Sequence, residues 1–391
     1  MAIQKCTRLS AAAVAVALGG AKLGMSSQTL ADTQFRAGGY LKADFMTSHF
    51  DDGFIDAGNI ARDFYIPGAT PVGGGHSDTV TDFHIRESRI FLEASQSLAN
   101  DETIRGYFEI DFLGTLSGDK RVTNSYSPRI RHAYIGYQNW LVGQFFSNFQ
   151  DTTIIPEAAD FVGVTDGIVF NIQPQVRYTF DNGWSVSVES PESTVTPYQG
   201  GNGRVTTGDS TLPDLTARYV HEAGDVYFSA AGIVRQLEYR DRAQGISTTQ
   251  TGYGVNLGLK WDLGPHDIRT SLVHGPGLGR YVGLNVANGA VLDEALNLDA
   301  LDVTGVSFAY RHVWSERIRS NIMYSRADID NSAALAGLDA NDRTERVAAN
   351  LMYQVNARLV VGTELSRSTR TLLNGDEGNM DRFQVSAQYL F

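Results

Sequence analysis

Cysteine, lysine and long apolar runs are scarce in this 391-residue sequence. Its only cysteine, Cys6, precedes a short apolar stretch near the N-terminus, so the rest of the chain has to be stable without disulfides. The absence of any run of 18 apolar residues, with a mean hydropathy of -0.19, excludes a bundle of transmembrane helices. A transmembrane β-barrel remains possible, because its strands carry apolar residues only at every second position.

Signals for a metal site or an enzyme are also poor. The eight histidines show no metal-ligand spacing. The glycine-rich stretch at residues 275–279 contains Pro276 and lies in a long irregular segment, which argues against a nucleotide-binding loop. We therefore predict no enzyme, no cofactor and no metal. The alternatives are an adhesin and a barrel-embedded hydrolase, which would need a serine beside His132 on the outward face of a strand.

The N-terminal segment is typical of a secretory signal peptide. Lys5 and Arg8 precede an apolar stretch at residues 9–21, and small residues at positions 29 and 31 form an acceptable cleavage site. We predict a signal peptide at residues 1–31 and one barrel domain at residues 32–391. Removal of the segment takes the net charge from -12 to -15, which argues against a nucleic-acid partner.

The remaining chain follows a period of two, which is clearest over residues 382–391, where every odd-numbered position is apolar and positions 382, 384, 386 and 388 are polar. The alternation includes Tyr389 and reaches Phe391. This pattern resembles the signature by which outer-membrane barrel proteins of Gram-negative bacteria are recognised for insertion. We expect Tyr389 and Phe391 to form that insertion signal, with the barrel assembly machinery as a partner and with outer-membrane lipid and lipopolysaccharide around the barrel.

Sixteen segments fit the same alternation, and the connections between them are short and long in turn. One short connection, the tight-turn sequence at residues 181–183, is a strong hairpin signal. This predicts an all-β protein, a transmembrane antiparallel β-barrel of about 16 strands with long external loops. We expect the third long segment, residues 147–174, to fold into the lumen as a constriction loop, an external loop being the alternative. Its acidic residues are Asp151, Glu157, Asp160 and Asp166.

Placing the apolar faces toward lipid directs fifteen cations and only eight acids into the lumen, and thirteen of those cations are arginine. A basic lumen in an acidic protein predicts a channel that favours small anionic solutes. An acidic loop opposite that wall would create a transverse field. Arg129, Arg131 and Arg177 are the strongest pore-lining candidates, because their own strands carry no acid. The full set of candidates is Arg89, Arg105, Arg129, Arg131, Arg177, Arg235, Arg269, Arg319 and Arg346.

Four motifs, at residues 62–68, 82–89, 128–134 and 143–149, resemble the DcaP-like trimeric outer-membrane porins. Those porins are associated with dicarboxylate uptake and are distant relatives of phosphate-selective porins. The resemblance implies a sixteen-stranded homotrimer with an arginine-lined passive channel for small organic anions such as dicarboxylates. A phosphate- or polyphosphate-type porin and a non-selective general porin remain alternatives, although the scarcity of lysine speaks against a dedicated phosphate channel.

Overall fold

The computed structural model describes residues 33–98, 102–115, 117–207 and 210–391, so the predicted signal peptide lies outside the described residues. The described chain forms a closed antiparallel β-barrel of sixteen strands, in which each strand pairs with the next. The first and last strands close the barrel, with Tyr40 opposite Leu390 and Phe50 opposite Met380. None of the helices in these ranges is long and apolar enough to cross a membrane.

The predicted sixteen strands are confirmed, one for each alternating segment. Their bounds are β1 Gln34–Phe50, β2 in two parts Asp78–His84 and Arg89–Ser97, β3 Thr103–Asp111, β4 Arg129–Tyr137, β5 Trp140–Phe146, β6 Ile172–Thr179, β7 Trp184–Glu189, β8 Asp214–Ala223, β9 Val226–Asp241, β10 Ile246–Leu263, β11 His266–Pro276, β12 Asp302–Val313, β13 Ile318–Asp330, β14 Asn341–Asn356, β15 Leu359–Leu372 and β16 Glu377–Leu390. The long connections add short strands, 3-10 turns and one helical turn, Ala333–Ala336.

The outer surface of the barrel is apolar and the inside is polar, the reverse of a soluble protein. Outward side chains such as Leu41, Ile322 and Leu365 are 55%, 58% and 63% exposed, while inward residues such as Asp44 and Glu364 are buried. An apolar band around a polar interior suits strands that contact lipid on one face and a lumen on the other.

Two strands depart from the predicted register, because β4 contains a β-bulge. Arg131 is an extra residue in the pairing of β4 with β3, so the alternation shifts by one position after it. His132 and Tyr134, predicted to face lipid, therefore face the lumen, and Phe145 on β5 follows them. Ile135 takes the outward position and is 56% exposed. The hydrolase alternative required His132 on the outward face of its strand, and the side chain does not lie there.

The connection between β5 and β6, residues 147–171, folds into the barrel as predicted, and we call it the inner loop. It is held by packing as well as by polar contacts, since Val164 and Ile168 contact inward Met323 in a buried cluster. Gly167 passes so close to β12 that a Cβ there would lie 1.7 Å from the carbonyl oxygen of Val306. A side chain at this position would push the loop off the strand.

Candidate pore and its charged walls

The inner loop divides the lumen into two unlike walls. It follows the inward side of β7–β16, which we call the loop wall, and contacts β7 through Asn148, β13 through Glu157 and β14 through Asp160. The inward side of β2–β6 carries the partly exposed Arg89 and the exposed Arg105 beside the buried Arg131 and Arg177, and we call it the ring wall for the aromatic side chains on it. The inner loop meets this wall through Phe170, whose ring centroid lies 6.0 Å from that of Phe146.

Two acids of the inner loop form ion pairs with the loop wall. Glu157 accepts two hydrogen bonds from Arg319, at 2.6 and 2.5 Å. Asp160 accepts one from Arg346 at 2.7 Å, and the same guanidinium donates to Glu364 at 3.0 Å. Burial alone would raise the pKa of Asp160, but the nearby arginines lower it below its ordinary range. Both pairs attach the loop to the barrel.

The other two acids of the loop are held by hydroxyl groups. Asp151 accepts a hydrogen bond from Ser229 at 2.5 Å, and Asp166 accepts from Tyr65 at 2.8 Å and from Ser325 at 2.9 Å. Burial raises the pKa of the Asp166 carboxyl. All four acids lie in the lumen as predicted. Glu157 and Asp160 are neutralised by arginines of the loop wall, whereas Asp151 and Asp166 bind hydroxyl groups, which do not cancel a charge. The loop wall therefore removes half of the acidic charge on which the expected transverse field depends.

Arg235 and Arg269 also hold loops against the loop wall by hydrogen bonds. Arg235 lies 3.4 Å from Asp214 and donates to the carbonyls of residues 277 and 278. Arg269 donates to Asp267 at 2.8 Å and to the carbonyl of Ile155 in the inner loop at 2.5 Å. Together with Arg319 and Arg346, four of the nine predicted pore arginines therefore hold loops in place.

The ring wall carries a continuous row of aromatic side chains that leads from the short-turn end of the barrel to the inner loop. Successive ring centroids are 5.1 to 6.0 Å apart. The row consists of Phe91, Tyr107, Tyr134, Phe145, Phe146, Phe170, Phe161 and Phe64. The period-two pattern misses this row, because the β4 bulge turns Tyr134 and Phe145 inward. A bulge has no simple signature in a single sequence.

Three arginines of the ring wall contact rings and have no carboxylate within 4 Å among the described residues. Arg89 lies 5.2 Å from the ring centroid of Tyr40, and Arg105 lies 5.5 Å from that of Tyr134. Arg177 lies 5.8 Å from Phe145. A carboxylate partner neutralises a guanidinium, whereas an aromatic face attracts it and leaves its charge in place. No acid therefore cancels the charge of these three cations. Arg89 and Arg105 are partly or fully exposed, whereas Arg177 is 8% exposed and also donates to Gln175 and to the carbonyl of Phe146.

Arg129 and Arg131 have acidic partners on the neighbouring strand. Arg129 donates to both carboxylate oxygens of Asp111, at 2.9 and 2.8 Å, and Arg131 donates to Glu109 at 2.8 Å. The expectation that they are uncompensated is wrong, because it considered only acids on their own strand. Side chains that face each other across two strands interact as strongly as neighbours along one strand.

Comparison with known proteins identifies the family. A profile of the DcaP outer membrane protein family matches residues 67–391. The chain belongs to the DcaP outer membrane protein family. Family and fold make it a channel of the porin type in the outer membrane of a Gram-negative bacterium. Among curated proteins no match is found.

Solved structures share the fold of this channel. The crystal structure of the outer membrane channel DcaP of Acinetobacter baumannii matches with a TM-score of 0.75 and 23% identity, over 92% of this chain and 98% of that chain. An anion-selective porin from Comamonas acidovorans matches at 0.56 and 9% identity, over 92% and 100%. The trimer form of OmpT from Vibrio cholerae matches at 0.56 and 12%, over 92% and 99%.

The described part of the channel brings together no group of three or more side chains suited to a metal ion. The family and the fold are those of channels, and the charged groups described above bind loops or face the lumen.

Proposed function

We propose that this channel lets small organic anions, dicarboxylates among them, pass in preference to cations. The observation that carries the proposal is the set of three ring-held cations on the ring wall, Arg89, Arg105 and Arg177, none of which has a carboxylate within 4 Å among the described residues. The resemblance to dicarboxylate-uptake porins and the name of the Comamonas acidovorans neighbour point to the same class of solute.

The size of the interaction fits a channel. A guanidinium about 4 Å from a carboxylate gains about 1 kcal/mol in bulk water and about 4 kcal/mol where the surroundings displace water. Three such contacts concentrate an anion without trapping it, as conduction requires. Arg218 adds to the positive charge of the lumen, because it has no carboxylate within 4 Å among the described residues. Its guanidinium donates to the carbonyl of Gln150.

The test removes the three charges together. In a channel with Arg89→Gln, Arg105→Gln and Arg177→Gln, we expect the anion-over-cation permeability ratio to fall by about tenfold, the equivalent of 1.4 kcal/mol. Reversal potentials under a salt gradient in planar bilayers measure this ratio. Entry of succinate into liposomes should slow more than entry of an uncharged sugar.

A matched control carries the same change in net charge away from the lumen, at Arg317, Arg358 and Arg367, which are exposed on turns or on the outer face. This control should keep the native permeability ratio. An unchanged ratio in the lumen variant would favour a non-selective general porin. Phosphate that displaces succinate from the native channel at lower concentration would favour the phosphate-type alternative.

We also propose that the channel is a homotrimer, that residues 1–31 are removed as a signal peptide, and that Tyr389 and Phe391 serve in insertion. Both aromatic side chains are exposed on the outer face, at 44% and 47%. Small outward residues of β1, Ala37 and Ala43, would let a neighbouring subunit approach closely. A substitution at Gly39 of the same strand would not test this interface, because a Cβ there would lie 2.0 Å from the carbonyl oxygen of Arg89 and would disturb the pairing of β1 with β2.

A further inference from the structure

A cavity of about 280 Å³ lies among the long loops, beside the inner loop. It is bordered by the connections that follow β1, β7, β11 and β13. The backbone N–H of Gly283, next to its lining segment, donates to the carbonyl of Ile168 in the inner loop. The cavity therefore lies where a solute from the long-loop end meets the inner loop. Its polar lining consists of five amides, one hydroxyl group and one cation: Asn202, Asn285, Asn288, Asn331, Asn341, Thr196 and Arg204.

Hydrogen bonds between the loops fix the amides of this cavity. Asn288, 4% exposed, donates to the hydroxyl of Thr196 at 2.8 Å. Asn341, 3% exposed, donates to the carbonyl of Val286 at 2.8 Å and accepts from Arg370 at 2.7 Å. Polar groups that the protein itself holds in place lose little freedom when a ligand arrives. The cavity is thus a preformed site.

Arg204 is the charged group of this site. Its Nε donates to Asn288 at 2.7 Å and its Nη2 donates to the carbonyl of Asn285 at 2.6 Å, which leaves three of its five N–H donors for a ligand. No carboxylate lies within 4 Å of it among the described residues, and none lines the cavity. Burial lowers the pKa of Arg204, and a bound anion would offset that cost.

We propose that this cavity is a binding site for a small carboxylate with a second polar group, and that it captures the solute before the solute reaches the ring wall. The volume equals that of about nine water molecules at about 30 Å³ each, which suits an acid of about eight to ten non-hydrogen atoms. Ile66, Leu284 and Leu301 supply apolar contacts for the carbon chain. The solute class rests on the proposed function, but the residues of this cavity are not those of the ring wall.

The experiment measures binding of succinate to the purified full-length channel by calorimetry, with 1,4-butanediol as the uncharged probe. We expect Arg204→Gln to raise the dissociation constant by about tenfold or more, as loss of a charge-assisted hydrogen bond implies, and Arg204→Lys to restore part of the affinity. Arg367→Gln, the same charge change on the outer face, should bind as the native channel does. The diol should bind to none of them.

Current recordings separate this site from the ring wall. Brief blocks of the chloride current by succinate added at the long-loop end should disappear in Arg204→Gln, whereas the reversal potential should stay native. Native succinate affinity should remain in the ring-wall variant, which carries Arg89→Gln, Arg105→Gln and Arg177→Gln. Native affinity in Arg204→Gln would overturn the site even if the ring wall proves selective. Loss of affinity only in the ring-wall variant would overturn it as well.

Discussion

The ring wall and the loop wall use the same residue for opposite purposes. On the loop wall, Arg346 is 1% exposed between two carboxylates, and the pairs attach the inner loop to the barrel. On the ring wall, Arg89, Arg105 and Arg177 contact aromatic faces and keep their charge. The partner of an arginine, and not its presence in the lumen, therefore decides whether it anchors the structure or meets the solute.

Removal of a loop-wall anchor should have the largest effect. Arg346→Gln leaves Asp160 and Glu364 buried without their cation, which costs about 3–5 kcal/mol of stability. We expect a lower unfolding temperature in detergent and a larger, noisier single-channel conductance, because the inner loop loses its attachment.

The matched control is Arg319→Gln, because that arginine and its partner Glu157 are more exposed, at 19% and 33%. Such pairs contribute about 0–1 kcal/mol. Similar behaviour of the two variants would contradict the assignment of Arg346 as the main anchor.

Removal of aromatic rings from the ring wall should have a medium effect, seen in the anion-over-cation permeability ratio. Tyr134→Leu with Phe145→Leu takes away the aromatic faces that hold Arg105 and Arg177, a loss of about 1 kcal/mol of positioning. We expect a lower anion-over-cation ratio in bilayer recordings, but a smaller fall than in the variant without the arginines.

Tyr178→Leu is the control, since its ring lies on the outer face against Trp140 at 4.8 Å. If it lowered the ratio as much as the inward pair does, the rings would act through barrel stability and not through the arginines.

Freeing two arginines should have the smallest effect and the opposite sign. Glu109→Gln with Asp111→Asn removes the acidic partners of Arg129, which is 34% exposed, and of the buried Arg131, so the ring wall gains two cations that no acid cancels. We expect an anion-over-cation ratio about twice the native value, or ~0.4 kcal/mol. Exposed acids outside the lumen, Glu316 and Asp376, provide a control with equal charge change. A lower ratio would mean that the paired arginines already conduct.

The fold could be predicted almost completely from the sequence, and the site only in part. The predicted set of nine arginines divides between the walls, with five on β2–β6 and four on β9–β14. Two of the three residues judged strongest, Arg129 and Arg131, are paired with acids, while Arg177 is not. Arg89 and Arg105 lie near Glu87, Glu93 and Glu109 in the sequence, yet they have no carboxylate within 4 Å among the described residues.

The sequence by itself determined the number of strands, the face that every strand except β4 and β5 turns to lipid, and the residue type that fills the lumen, because the period of two is a local property of each strand. Only the tertiary structure decided which charges remain available. Arg346 meets Asp160 across 186 positions, and one unpaired residue in β4 turns Tyr134 and the following strand around. Partners that lie far apart in the chain are set by barrel closure and by the path of the inner loop, and no local pattern encodes either.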